Sequence, residues 1–170
     1  MTALIPARDT EIRRELKPSD REPVRRLLEA TAFFNPEELS VAMELVDDRL
    51  ALGDQSHYRF LVAEQGGGIA GYASWGPIPG TSHSADLYWI AVNPAAQGLG
   101  IGRSLLAEAE RWMGEELRLR VYVETAGRSQ YEPTRAFYTA CGYHVAAEFE
   151  DFYAPGDSKV VFLKVLTPAD

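Results

Sequence analysis

Residues 85–103 read Ala-Asp-Leu-Tyr-Trp-Ile-Ala-Val-Asn-Pro-Ala-Ala-Gln-Gly-Leu-Gly-Ile-Gly-Arg and join an apolar run to an amphipathic one through a glycine-dense turn. The run 85–92 is rich in aromatic and aliphatic side chains and stops at Asn93-Pro94, which predicts a buried strand running into a turn. Beyond it, Ile101, Leu105, Ala109 and Trp112 recur at helical spacing, so a helix begins near Gly100. Glycines at 98, 100 and 102 let the backbone come close to a ligand, and the unpaired N–H groups of a helix's first turn attract an anion.

The loop's omissions narrow the anion. No Lys-Ser or Lys-Thr follows the glycines, which excludes the nucleoside-triphosphate P-loop. The dinucleotide pattern G-x-G-x-x-G fails because, counted from Gly98, Arg103 stands where the third glycine belongs. What remains is Gln97-x-x-Gly100-x-Gly102 after a strand ending Val92-Asn93-Pro94. This resembles the pyrophosphate motif of the GCN5-related N-acetyltransferases (GNAT), a family whose shared ligand is acetyl coenzyme A. The resemblance implies that Gln97, Gly98, Leu99, Gly100, Ile101, Gly102 and Arg103 bind the coenzyme. Three alternate glycines taken alone also suit an ordinary strand-to-helix turn that binds nothing.

The rest of the chain bears on that choice. Its 170 residues are most simply one domain, 1–170, long enough to bury a single core. Hydrophobic residues at 46% and charged ones at 25% give the balance of a globular protein. No apolar run approaches the roughly 20 residues that span a bilayer, and residues 1–10 lack the core of a signal peptide. Cys141, the lone cysteine, has no internal disulfide partner, so a cytoplasmic location and no membrane are expected. A net charge of −8 with no basic tract argues against nucleic acid and is compatible with a cationic acceptor. His57, His83 and His144 are scattered, and no metal site is expected.

Walking the chain predicts a short strand at 11–16, then a helix opened by the capping-box spacing Ser19-Asp20-Arg21-Glu22 and running to about Ala32. Asn35-Pro36-Glu37-Glu38 opens a second helix, with Leu39, Ala42, Met43, Val46 and Leu50 at helical spacing and an end near Gly53. Strands follow at 58–64 and 69–76 around Gly66-Gly67-Gly68, then 85–92, the helix from Gly100, a strand at 119–124, a short helix at 133–140, and strands at 145–151 and 159–165. This order, β-α-α-β-β-β-α-β-α-β-β, is similar to that of the GNAT acyl-CoA N-acyltransferase fold. The fold class implied is α/β (α+β), a mixed, mainly antiparallel central sheet flanked by helices.

A second signature falls where the family has one. Residues 134–143, Thr-Arg-Ala-Phe-Tyr-Thr-Ala-Cys-Gly-Tyr, resemble its A-x-x-F-Y-x-x-x-G-F/Y segment, whose tyrosine lies near the coenzyme sulfur. The resemblance implies that Tyr138 binds the coenzyme and protonates its departing thiolate. Acetyl transfer needs a neutral amine, yet an alkylammonium has a pKa of about 10, so some group must take its proton. By resemblance a carboxylate on the central strand does so through water. Counting back from Ala91-Val92 gives Asp86, with Glu124 in reserve. Backbone N–H groups around Ile90, Ala91 and Val92, at an expected bulge, are the implied oxyanion donors and coenzyme contacts.

One departure touches coenzyme binding: where many members carry an asparagine that bonds the pantetheine arm, this chain has Pro133, so the contact either comes from elsewhere, with Ser129 and Gln130 as candidates, or is missing. The implied acceptor region contains Phe34, Glu124, Arg128, Tyr131 and Tyr153, with Phe33 and Phe152 beside them and Arg128 as an anchor for a substrate carboxylate. The expectation is an N-acetyltransferase, monomer or homodimer, acting on a small-molecule or peptide amine by direct transfer from acetyl-CoA. The alternative is a noncatalytic acyl-CoA-binding or sensing module.

Overall fold

In the computed structural model, which describes residues 9–168, the elements follow in the expected order. They are β1 (Thr10–Arg13), α1 (Arg21–Ala30), α2 (Pro36–Leu52), β2 (Arg59–Gln65), β3 (Gly68–Pro77), β4 (Ser84–Val92), α3 (Ile101–Glu115), β5 (Arg120–Ala126), α4 (Glu132–Ala140), β6 (His144–Ala154) and β7 (Asp157–Val165). The seven strands form one mixed sheet in the order β1-β2-β3-β4-β5-β7-β6. β4 and β5 run parallel, while the β1–β2, β2–β3, β5–β7 and β6–β7 ladders are antiparallel. Among the described residues no helix is long and apolar enough to cross a membrane. The chain divides into two compact units, one running to Trp75 and resuming over Trp89–Ala109, the other made of Gly76–Tyr88 and the residues from Glu110 onward.

In the first unit, Gly66 and Gly67 at φ 59° and 79° make the tight turn that joins β2 to β3. Phe60, Leu61, Val62 and Ala63 are buried on both faces of β2, as are Tyr72, Ala73 and Trp75 of β3. Val24, Leu27 and Leu28 of α1 and Ala42, Met43, Leu45 and Val46 of α2 complete this core. Each such large apolar side chain contributes about 1.5–3 kcal/mol by leaving water. α2 starts as its sequence dictates: the Glu38 N–H donates to Asn35 Oδ1 at 2.8 Å, the Asn35 N–H donates to Glu38 Oε2 at 3.0 Å, and Pro36 occupies the first turn.

The expected capping box at Ser19 does not form. α1 begins at Arg21 with no side-chain cap, because the Asp20 carboxylate is taken by the Arg13 guanidinium at 2.6 and 2.7 Å and by the Lys17 N–H at 2.7 Å. A charged partner from β1 outcompetes the local helix end. At the other side of this unit, Gly71 lets β3 approach β4 so closely that a Cβ there would lie 2.9 Å from the Ala91 carbonyl oxygen and 3.2–3.3 Å from Leu105 and Ile101 of α3. The Asn93 N–H donates to the Ala70 carbonyl at 2.7 Å, and Arg14 ion-pairs with Glu108 at 2.9 Å. These contacts fix the end of β4 and the start of α3, which carry the glycine loop.

In the second unit, Val121 and Val123 of β5 and Val160 and Phe162 of β7 are buried. Glu110 accepts from the Tyr143 hydroxyl at 3.1 Å and from Lys164 Nζ at 2.9 Å, and Lys164 Nζ also donates to the Cys141 carbonyl. Almost the whole length of β6 is exposed, and its ladder with β7 is interrupted between Val145 and Ala147 and between Phe149 and Ala154. Cys141 stands at the C-cap position of α4 and is half-buried.

Candidate functional site

The glycine loop belongs to the first unit. After β4, Asn93 turns the chain by accepting the Ala95 N–H on its side-chain oxygen at 3.0 Å, and Pro94–Ala96 forms a 3-10 turn. Gly98 and Gly100 stand at φ 80° and 79°, which only glycine adopts readily, and no heavy atom lies within 4 Å of where a Cβ would sit on either. The backbone there is open to whatever approaches it. The first helical bond of α3 runs from the Ser104 N–H to the Gly100 carbonyl, so the N–H groups of Ile101, Gly102 and Arg103 have no partner inside the helix.

These donors, the positive end of the 15-residue helix α3 and an Arg103 side chain without an ion-pair partner among the described residues suit a phosphate or pyrophosphate. The Ile101 side chain, 3% exposed, packs inward against Gly71, so only its N–H faces outward chemistry. Gln97 is exposed and its amide donates to the Val92 carbonyl at 3.4 Å, which ties the loop back to its own strand. Leu99 is half-buried. Phe34, in the α1–α2 connection, makes edge-to-face contacts with Phe33 at 5.2 Å and with Trp89 at 5.1 Å. Sequence reading did not single out Trp89, since nothing in β4 alone shows which residue the α1–α2 connection will meet.

The second unit carries the carboxylates and Tyr138, and its ladders place them on opposite faces. Ladder partners share a face and neighbours along a strand alternate, so the pairs Asp86↔Tyr122 and Glu124↔Val161 put Asp86 and Glu124 on one side. Val123↔Phe162 lies on the other, where the Tyr138 ring packs 5.9 Å from Phe162, 5.6 Å from Tyr143 and 5.3 Å from Phe137. The β4–β5 ladder ends at Leu87↔Val123, although β4 continues to Val92 and β5 to Ala126. Ile90, Ala91 and Val92 follow these pairs along β4.

Asp86 is half-buried, and its carboxyl is pushed up to about 6, first by burial and then by the negative charge of Glu124, against the opposing pull of Lys159. A carboxylate poised near neutrality suits proton transfer better than an ordinary surface acid. Tyr138 is 6% exposed, and its phenol is pushed upward by burial, with a smaller contribution from Cys141. It is protonated at neutral pH, and its hydroxyl has no hydrogen-bond partner among the described residues. A buried, protonated phenol with no hydrogen-bond partner among the described residues can donate a hydrogen bond to a developing thiolate, although burial weakens it as an acid.

The remaining expected residues have definite places. Arg128 is held by Asp157 through its own N–H and its guanidinium, both at 3.2 Å, with its guanidinium 4.8 Å from the Tyr131 ring centroid. Pro133 sits in the first turn of α4, where its missing N–H costs nothing, and Ser129 and Gln130 lie in the short 3-10 turn before it. Tyr153 is 48% exposed at the end of β6, on an element whose other aromatics, Phe149 and Phe152, are equally open. Lys159, whose Nζ lies 2.9 Å from Glu124 Oε1, was missed because only the β5–β7 register brings the two together. Among the described residues no group of three or more metal-capable side chains converges.

Comparison with known proteins gives a consistent result. A model of the acetyltransferase (GNAT) family matches residues 21–143. The crystal structure of a candidate GNAT-family acetyltransferase from Desulfovibrio desulfuricans superposes with a TM-score of 0.91 at 41% identity, over 93% of this chain and 99% of that one. A candidate acetyltransferase from Salmonella typhimurium, solved with its cofactor acetyl-CoA, has the same fold at TM-score 0.71 and 18% identity, over 95% and 96% of the two chains. The mycothiol acetyltransferase of Rothia mucilaginosa is 32% identical over 137 residues, which is 72% of this chain. The chain spans about a third of that relative's length, 32%.

Proposed function

The chain belongs to the GNAT family of acetyltransferases, and we propose that it is an acetyl-CoA-dependent N-acetyltransferase that moves an acetyl group directly to a small-molecule or peptide amine within a ternary complex. The observation that carries this reading is the start of α3, where Gly98 and Gly100 leave open space and the first-turn N–H groups are free. Those donors suit the coenzyme's pyrophosphate, with Gln97 to Arg103 forming the cradle. When bound, acetyl-CoA supplies an acetyl thioester, an electrophilic carbonyl with a thiolate leaving group.

The chain's own groups have four tasks. The loop and the α3 N-terminus hold the phosphates. Asp86, ionised above about pH 6, takes the proton that the acceptor ammonium must lose before its nitrogen attacks. Backbone N–H groups of Ile90, Ala91 and Val92 donate to the carbonyl oxygen as it gains negative charge. Tyr138 gives its proton to the sulfur as the C–S bond breaks and the C–N bond forms. That Asp86 and Tyr138 lie on opposite faces of the second unit's strands supports a division in which the amine is deprotonated on one side and the thiolate protonated on the other.

A cytoplasmic setting, supported by the single cysteine, completes the reading. The test is Tyr138→Phe, which keeps the ring packing and removes only the proton. The kcat should fall by ~100-fold while acetyl-CoA affinity stays within a few-fold. An unchanged kcat removes Tyr138 from the chemistry.

A further inference from the structure

Along one face of the second unit the chemistry changes strand by strand. Asp86 of β4 shares that face with Tyr122 and Glu124 of β5, Lys159 stands diagonally from Glu124 on β7, and Phe149 of β6 is the ladder partner of Lys159. Lys159 Nζ sits between the Glu124 carboxylate at 2.9 Å and the Phe152 ring, whose centroid is 4.6 Å away. The protein thus already holds one ammonium between a carboxylate and an aromatic face.

Phe152 reaches that position through an interruption in β6. Between the pairs Phe149↔Lys159 and Ala154↔Asp157, residues 150–153 oppose Ser158 alone. Asp151 adopts φ 52° and its side chain accepts the Gly156 N–H at 2.7 Å, which secures the excursion. Phe152 stacks edge to face on Tyr153 at 5.0 Å and lies 6.5 Å from Phe149. All three rings are about half exposed, at 52% for Phe149, 56% for Phe152 and 48% for Tyr153. Burial pushes the Tyr153 phenol upward, with Glu124 adding to the shift and Lys159 opposing it.

The cations at this end are committed, Lys159 to Glu124 and Arg128 to Asp157. Arg120 lies on the other side of Tyr122 from Glu124, and its Nε donates to the Tyr122 hydroxyl at 3.4 Å. Among the described residues the cations beside the rings are thus in ion pairs, and the face offers a ligand the Asp86 carboxylate, the Glu124 oxygen that Lys159 does not hold, and aromatic surface.

We infer that this face selects its acceptor as an amine carrying an aromatic or other flat apolar body and no carboxylate, with the ammonium at Asp86 and Glu124 and the body against Phe152 and Tyr153. Lys159 Nζ, 2.9 Å from Glu124 Oε1 and 4.6 Å from the Phe152 centroid, measures the span from carboxylate to ring that a short linker between an amine and a ring has to bridge. The inference rests on the reading of Asp86 as the proton acceptor, and it assigns Phe152 and Tyr153 the choice of substrate.

A matched set tests it: 2-phenylethylamine, L-phenylalanine, which differs only by its carboxylate, and ethylamine, which lacks the ring. Thiol release from acetyl-CoA gives kcat/KM for each, and fluorine NMR line broadening of 2-(4-fluorophenyl)ethylamine reports binding without turnover. The wild type should favour 2-phenylethylamine over both others by at least ~10-fold, and Phe152→Ala should reduce its preference over ethylamine by ~10-fold. Phe152 is exposed, so the variant retains its fold. Equal or better use of L-phenylalanine overturns the inference, as does a preference that survives Phe152→Ala. Phe152-dependent broadening with no thiol released to any amine supports this site and removes the transferase reading instead. Concentration-dependent self-association lost in Phe152→Ala, without amine broadening, shows that a second copy covers the rings and overturns the proposal.

Discussion

Replacing Glu124 by glutamine should move the acidic limb of the enzyme's pH profile to lower pH. The Asp86 carboxyl, at about 6, is raised by burial first and by Glu124 second, while Lys159 lowers it. Asp86 and Glu124 are diagonal neighbours on adjacent strands, roughly 7 Å apart. At an effective dielectric constant of about 20–80, Coulomb's law gives ~0.6–2.4 kcal/mol, or ~0.4–1.7 pH units. Burial remains in the variant, so the carboxyl should settle between its ordinary value and about 6. Lys159, relieved of its partner, pulls in the same direction.

The sign follows from Asp86 having to be ionised to accept a proton. Activity rises with pH through its pKa, and removing a negative neighbour lowers that pKa. Lys159→Met removes a positive neighbour and should shift the limb upward. The assay is kcat/KM for an amine acceptor between about pH 4.5 and 8, well below the amine's own ionisation near 10. A limb that stays in place in Glu124→Gln, or moves in the same direction in both variants, refutes the argument. Asp86→Asn should abolish the limb together with most of the activity.

Two predictions concern the scaffold. Gly71→Ala places a Cβ 2.9 Å from the Ala91 carbonyl, a backbone atom with little room to yield, and should destabilise by ~1–3 kcal/mol, lowering Tm by ~3–10 °C; an unchanged or raised Tm would mean that β3 and β4 are not packed so tightly. Burial opposes ionisation of Asp20, but the Arg13 guanidinium and the Lys17 N–H outweigh it and hold the carboxyl below its ordinary value. The stability this confers is present above the ordinary carboxylate pKa and lost as pH falls through the lowered one. Asp20→Asn should therefore lower Tm more at pH 7 than near pH 2, and an equal loss at both would locate the effect in packing rather than charge.

Features encoded by neighbours in sequence were the legible ones. Asn35, Pro36 and Glu38 make their capping contacts within four residues, and the glycine pair at 66 and 67 closes its own hairpin. The strand, turn and helix around Gly98 and Gly100 form as their spacing requires. Ser19 is no cap because it lies inside the 3-10 turn Pro18–Asp20, and Asp20, which stands at the cap position, is held by Arg13 from a different element. The same limit applies to the site. The Glu124–Lys159 pair and the commitment of Arg128 to Asp157 depend on β7 lying between β5 and β6 in the sheet, an order that reverses the chain sequence. The placement of Phe152 over Lys159 depends on the interruption in β6, for which Asp151 is the single turn-forming residue within 150–153 and whose effect shows only once it bonds the Gly156 N–H.

The central claim is that the start of α3 holds the coenzyme's pyrophosphate, and calorimetric titration of acetyl-CoA into the wild type, Gly100→Ala and Gly100→Glu tests it most directly. Alanine at φ 79° strains the turn by ~1–2 kcal/mol without adding charge, whereas glutamate projects a carboxylate into the open space in front of the N–H groups. The account predicts binding by the wild type, weakened binding by the alanine variant and none by the glutamate variant; a wild type that does not bind acetyl-CoA, or a glutamate variant that binds it as well as the wild type, contradicts it.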